Sequence, residues 1–206
     1  MKSVITHDYR KKYREIYLPK TEEITIQQQP ELTYVSQRMI TSYNMDWNGR
    51  PEPIDEKWLA WKVVNQIKQI TKTELDYKFK LMPPEVIWVE KTEADKWVVD
   101  QMMLVADCVT EEMFERAREK VKKNLRVKDL PPITLVKRNP TLFAQKLHIG
   151  HYKDIDNVYS KMVTELAKQG YRPTKDYRAI YLLVAMECYP SHNSKTIVSV
   201  DVEKIQ

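Results

Sequence analysis

The stretch Leu147-His148-Ile149-Gly150-His151-Tyr152-Lys153-Asp154-Ile155-Asp156 gathers two imidazoles, two carboxylates and a phenol around one of only three glycines in the chain. Imidazole nitrogens and carboxylate oxygens are the ordinary donors to a divalent metal, so coordination is the first chemistry to weigh. A three-residue spacing of His148 and His151 suits a helix, but the alternation before Gly150 puts His148 on a strand, where such residues face opposite ways. No third histidine or cysteine lies close by. The stretch therefore reads as a strand turning into a helix at Gly150. Asp154 and Asp156 serve the helix start, one as N-cap and the other against the positive end of the dipole. Neither a metal site nor a cofactor is expected.

Other catalytic constellations are missing too. With three glycines there is no Gly-x-Ser-x-Gly elbow, no Gly-x-Gly-x-x-Gly and no Walker loop. Cys108 and Cys188 are too few and too far apart for a zinc pair or a disulfide framework, which points to a reducing compartment. No catalytic residue is assigned. What remains is an inventory of five tryptophans and twelve tyrosines. Trp61, Trp88, Met103, Tyr152 and Tyr181 fall on or at the ends of regular elements and form the candidate ligand-binding set. Ring faces attract cations, and a buried carboxylate gains by meeting one, so such a pocket suits flat apolar or cationic molecules. Glu85 and Glu187 are the strand acids that complete the set. Glu187 lies six residues beyond Tyr181, about 20 Å along a regular strand, so only a bulge brings both to one small ligand.

The elements that must hold these residues follow from periodicity. Ile24 to Gln29 and Leu32 to Ile40 alternate with period two on either side of Pro30-Glu31 and read as two strands. Asp55 is placed as N-cap of a helix from Glu56 to Ile70 with a stripe of Trp58, Trp61, Val64, Ile67 and Ile70. Strands follow at Glu85 to Val89 and Trp97 to Val105. Thr110 caps a helix to about residue 124, with Glu111 and Glu112 in its first turn and Phe114, Ala117 and Val121 as its stripe. Strands at Ile133 to Val136 and Leu142 to Ile149, a helix from Asp154 to Lys168 ended by Gly170, and strands at Arg178 to Met186 and Lys195 to Val202 complete the pass. Each half thus reads strand, strand, helix, strand, strand. The predicted fold is α+β, two such units with their sheets side by side or face to face. Helices cover one face, and the uncovered concave side forms a central ligand cleft. The halves are about 20–107 and 131–206, and the helix of about 110–124 links them.

Composition narrows the partners. A chain of 206 residues, 42% hydrophobic and 31% charged, is that of a globular protein. The net charge of +5 is scattered, with runs only at Arg10-Lys11-Lys12-Tyr13-Arg14 and Lys120-Val121-Lys122-Lys123, the second at a helix end. No two predicted helices pair across a short turn, so direct nucleic-acid binding is not expected. The N-terminus lacks an apolar signal core, and no run approaches about 20 apolar residues, so no membrane partner is expected and a cytoplasmic location is. A protein partner stays open, as does the oligomeric state.

Several short motifs, in order, resemble one family. Leu147-His148-Ile149-Gly150-His151-Tyr152, a helix, Gln169-Gly170-Tyr171 and Arg178-Ala179-Ile180-Tyr181-Leu182 are similar to the GyrI-like small-molecule-binding domain, whose pattern runs Leu-His-Ile-Gly-Pro-Tyr, helix, Gly-Tyr, Glu-Ile-Tyr-Leu. Tyr13-Arg14-Glu15-Ile16-Tyr17-Leu18-Pro19, Pro83-Pro84-Glu85-Val86-Ile87-Trp88 and Ser194-Lys195-Thr196-Ile197 resemble its opening, its Pro-Leu-Glu-Gly-Leu-Trp segment and its closing strand, so the resemblance spans nearly the whole chain as one domain. It implies two pseudo-symmetric β-α-β-β modules with antiparallel sheets and a central ligand cleft between them, and a standalone protein without the DNA-binding region of multidrug-responsive regulators. Relatives of this type are associated with hydrolysis of cyclopropane-bearing DNA-alkylating toxins; others bind drugs or inhibit DNA gyrase. Where the family carries its pocket glutamate this chain has Ala179, and Val89 stands where many relatives have a second tryptophan. Alanine supplies neither general base nor charge stabiliser. The resemblance therefore favours binding, as in drug or toxin sensing or sequestration. Hydrolysis of strained electrophiles, with Glu85 or Glu187 taking over, and modulation of a protein partner such as gyrase are the alternatives.

Overall fold

The computed structural model describes residues 5–42, 58–93, 96–183 and 191–205. A short parallel pair, β1 (Thr6–His7) with β4 (Lys78–Phe79), flanks the main sheet. The helices are α1 (Tyr9–Lys12), α2 (Arg14–Tyr17), α3 (Ala60–Glu74), α4 (Glu111–Leu125) and α5 (Ile155–Lys168). The remaining strands are β2 (Thr25–Gln29), β3 (Leu32–Ser42), β5 (Glu85–Glu93), β6 (Lys96–Leu104), β7 (Ile133–Arg138), β8 (Thr141–Ile149), β9 (Tyr171–Pro173), β10 (Arg178–Leu183) and β11 (Lys195–Lys204). They form one nine-stranded sheet in the order β2-β8-β11-β10-β5-β6-β3-β7, with β9 beside β11.

This order shows the two-module plan directly. If β2, β3, β5 and β6 are exchanged with β7, β8, β10 and β11, the order reads the same from the opposite edge. The modules lie side by side and meet at an antiparallel seam, where Ala179 faces Val86 and Ile180 faces Glu85. Pro30-Glu31 does not close a hairpin. β2 pairs with β8, while β3 pairs with β7. The register is unbroken across this corner: Gln29 faces Thr141 and Leu32 faces Arg138, three residues on along one segment and three residues back along the other. The two segments thus form one bent ribbon, which draws opposite edges of the sheet together.

One row of side chains crosses the helix-covered face: Gln37, Gln101, Val86, Ala179 and Val198. At one end of the row Gln37 Oε1 accepts hydrogen bonds from Leu59 N (2.7 Å) and Ala60 N (3.0 Å) and so caps α3. The described part of this helix, α3, begins at Ala60; Glu56 and Asp55, the expected start and cap, lie outside the described residues. The buried stripe of α3 is Ala60, Val63, Val64, Ile67 and Thr71. Trp61 falls outside it, 36% exposed, with Lys62 over its ring. The α4 helix follows its expected pattern: Thr110 Oγ1 accepts from Met113 N, Phe114, Ala117 and Val121 are buried, and the last turn is basic. Arg116 pairs with Glu74 and ties α4 to α3.

The start of α5 differs from expectation. Asp154 makes no capping hydrogen bond. A 3₁₀ turn at Tyr152–Asp154 precedes the helix, and His151 Nδ1 accepts from Lys153 N at 3.1 Å to cap that turn. Asp156 instead accepts from the Tyr177 hydroxyl at 2.6 Å. Gly150 does mark the turn: its φ is 148°, and its N–H bonds Ser194 O at 2.9 Å. His148 Nε2 lies 3.0 Å from His151 O and thereby spans the same turn. Among the described residues, no helix is long and apolar enough to cross a membrane.

Candidate functional site

The helix-covered face of the β5–β10 seam collects rings from distant parts of the chain. Trp88 on β5, Tyr181 on β10 and Tyr152 at the start of α5 are all buried in one cluster with Met39, Met162 and Tyr177. Trp97 meets Trp88 edge to face with centroids 5.7 Å apart, and Tyr159 lies against Tyr177 at 4.6 Å. Trp58, just before α3, packs on the same cluster. Alternation places these groups: Trp88 is two residues from Val86, and Tyr181 two from Ala179, so all four share a face. Ala179 is fully buried, and the row through it carries no carboxylate.

The row does carry a polar group that was not singled out from the sequence. Gln101 is 6% exposed, and its Oε1 has no hydrogen-bond partner among the described residues. The signal was available, because Gln101 interrupts the apolar period of Trp97, Val99, Met103 and Val105. Two strand spacings separate it from Ala179, about 10 Å.

The opposite face has a different chemistry. Glu85 and Arg178, 0% and 2% exposed, form an ion pair with Oε2 at 3.1 Å from Nη1. The Tyr17 hydroxyl donates to Glu85 Oε1 at 2.5 Å. Arg178 donates to the Tyr34 hydroxyl at 3.0 Å and to Gln29 Oε1 at 2.9 Å. Burial pushes the Glu85 carboxyl above its usual range, against the pull of the Arg178 guanidinium. Burial, then the Glu85 charge, pushes the Tyr34 phenol up to about 12. Beyond this network the concave side opens into a hollow of about 930 Å³. Ile87, Val89, Met102 and Val136 give it an apolar floor. Its charged walls are matched: Arg38 forks Asp100 at 2.8 and 2.7 Å, and Arg138 and Lys175 both hold Asp201.

The candidate residues are therefore divided. Trp88, Tyr152 and Tyr181 come together. Met103 packs in the other core cluster, with Val35 and residues of α3 and α4, and Trp61 is on the outer side of α3. Glu85 points away from the rings, because it is three residues from Trp88 on one strand. Glu187 lies outside the described residues.

No family model matches the sequence, and no curated protein matches it. Solved structures do share the fold. A hydrolase from Listeria innocua superposes with a TM-score of 0.79 at 21% identity, over 97% of this chain and 100% of its own. A conserved protein of unassigned role from Listeria innocua gives 0.77 at 21% identity, over 95% and 99%. The C-terminal domain of EcmrR gives 0.53 at 16% identity, over 89% and 98%. In a complex of EcmrR with DNA the match covers 62% of the EcmrR chain, with a TM-score of 0.54. These likenesses establish the class: an α+β fold of two like modules sharing one antiparallel sheet.

Proposed function

We propose that this is a GyrI-like protein that binds small, flat hydrophobic or cationic molecules on the ring-bearing face of the seam. Its halves, about 20–107 and 131–206, would each supply one wall. The observation that carries this reading is the convergence of Trp88, Tyr152 and Tyr181, far apart in sequence, around a seam where residue 179 is alanine. The likeness to the EcmrR C-terminal domain, part of a protein seen bound to DNA, supports a sensing role. Without a carboxylate in the central row, rings and the Gln101 amide do the recognising, so a ligand cation gains from the ring faces alone.

The test is titration with proflavine, a flat cation, and acridine, its neutral counterpart at pH 8, followed by tryptophan fluorescence. Both should quench saturably with affinities within about threefold, since no buried charge distinguishes them. Tyr181→Ala should weaken both about tenfold. Loss of binding in Arg38→Ala but not in Tyr181→Ala would move the ligand to the opposite hollow, and no quenching by either compound would reject the proposal.

A second reading, hydrolysis of cyclopropane-bearing alkylators, is favoured by the fold shared with the Listeria innocua hydrolase. It calls for a general base, and Glu85, raised by burial and bonded to the Tyr17 phenol, is the candidate. Catalytic consumption of such an alkylator, abolished in Glu85→Gln, is the expected result; stoichiometric or no consumption would reject it.

A further inference from the structure

A separate hollow of about 340 Å³ lies where α3 meets the β1–β4 pair, and four lysines surround it: Lys68, Lys72, Lys78 and Lys80. Their convergence follows from local geometry. Lys68 and Lys72 are four apart on α3 and share a stripe. Lys78 faces Thr6 across the β1–β4 pair, and Lys80 N bonds His7 O at 2.9 Å, so the strand direction continues and both lysines point the same way. Asp8, beside Lys80, is held by Arg10 and Lys80 at 3.0 and 3.1 Å. Among the described residues, Lys68, Lys72 and Lys78 make no ion pair. Burial pulls the Lys68 ammonium below its usual range, with no opposing charge to restore it.

Like charges gathered around a concavity repel in the free protein, and a multivalent anion relieves that repulsion. We propose that this hollow is a binding site for a phosphoryl or pyrophosphoryl group of a small molecule, held by Lys68, Lys72, Lys78 and Lys80. A phosphate monoester carries about −1.5 to −2 charges and three acceptor oxygens, which suits several ammonium groups acting as point charges. The volume fits a small phosphorylated molecule. Leu81, 40% exposed, lies at its edge and offers apolar surface for its carbon portion. The site lies on the outer side of α3 and does not depend on the ring-bearing face.

Calorimetric titration of the full chain with inorganic pyrophosphate at about 20 mM salt tests this, with low salt limiting the screening of exposed charges. One equivalent should bind, and Lys68→Ala or Lys78→Ala should each weaken it about tenfold or more. Lys120→Ala, at an exposed position on α4, should leave binding unchanged. Unliganded Lys68→Ala should melt no lower than the parent protein, because it removes repulsion; that separates a lost site from a lost fold. No binding, or equal weakening by Lys120→Ala, would overturn the assignment. So would binding of a twenty-residue oligothymidylate without binding of pyrophosphate, which would mark an extended nucleic-acid track.

Discussion

Replacing Arg178 with methionine removes the cation of the buried pair at the module seam. At 3.1 Å and an effective dielectric of about 20, the attraction between the charges is about 5 kcal/mol, in line with the 3–5 kcal/mol typical of breaking a buried pair. The variant leaves Glu85 with the Tyr17 hydroxyl, while Gln29 and Tyr34 lose a donor. The expected loss is about 4 kcal/mol at pH 8, a shift of about 1.3–2 M in the urea midpoint for a slope of about 2–3 kcal/mol/M. Glu85→Gln alone leaves the guanidinium buried without its counter-charge and should cost about 3 kcal/mol. The double variant Arg178→Met/Glu85→Gln should cost at least 2 kcal/mol less than the two singles together. The pH profile gives an independent sign. Burial already raises the folded Glu85 carboxyl, and losing Arg178 raises it further. A carboxyl whose folded pKa exceeds its unfolded value of about 4.3 gives its full contribution below that value and loses it as pH rises through the folded value. The deficit of Arg178→Met should therefore be smallest near pH 4 and largest near pH 8. Additive single costs with a pH-independent deficit would refute the view that this pair holds the seam.

Two further outcomes follow from the structure. Ala179→Glu places a carboxylate in a fully buried position; it should lower stability by about 2–4 kcal/mol without ligand and raise the preference for proflavine over acridine about tenfold, read by melting and by fluorescence titration. Gly150→Ala should cost about 1–3 kcal/mol in urea unfolding, because φ is 148° and an added Cβ would sit 2.9 Å from His148 Cε1.

Elements governed by local rules were readable from the sequence. The α4 helix, with Thr110 as cap and Phe114, Ala117 and Val121 as its stripe, needs nothing beyond neighbouring residues. The α3 start was not readable, because its cap is Gln37, 22 residues away from Leu59 on a strand of the sheet. Asp154 was a poor guide for a similar reason: a 3₁₀ turn capped by His151 stands in front of α5. Alternation marked Glu85 as a strand acid, and the same alternation turns it from Trp88; only the tertiary position of Arg178 shows where it goes. Sequence periodicity fixes which residues share a face but not which face meets a helix, so the rings and the concave hollow, expected together, lie on opposite sides of the sheet.

The bent ribbon also governs assembly of the chain. Partners such as Thr25 and Gln145 are separated by more than half of the sequence, and closing so large a loop precedes any reward from the contact. During synthesis the β2 segment emerges long before β8, so its partner edge does not yet exist. Each module borrows its outermost strand from the other, so a fragment ending before β7 leaves the outer edge of β3 uncovered and prone to pairing with another chain.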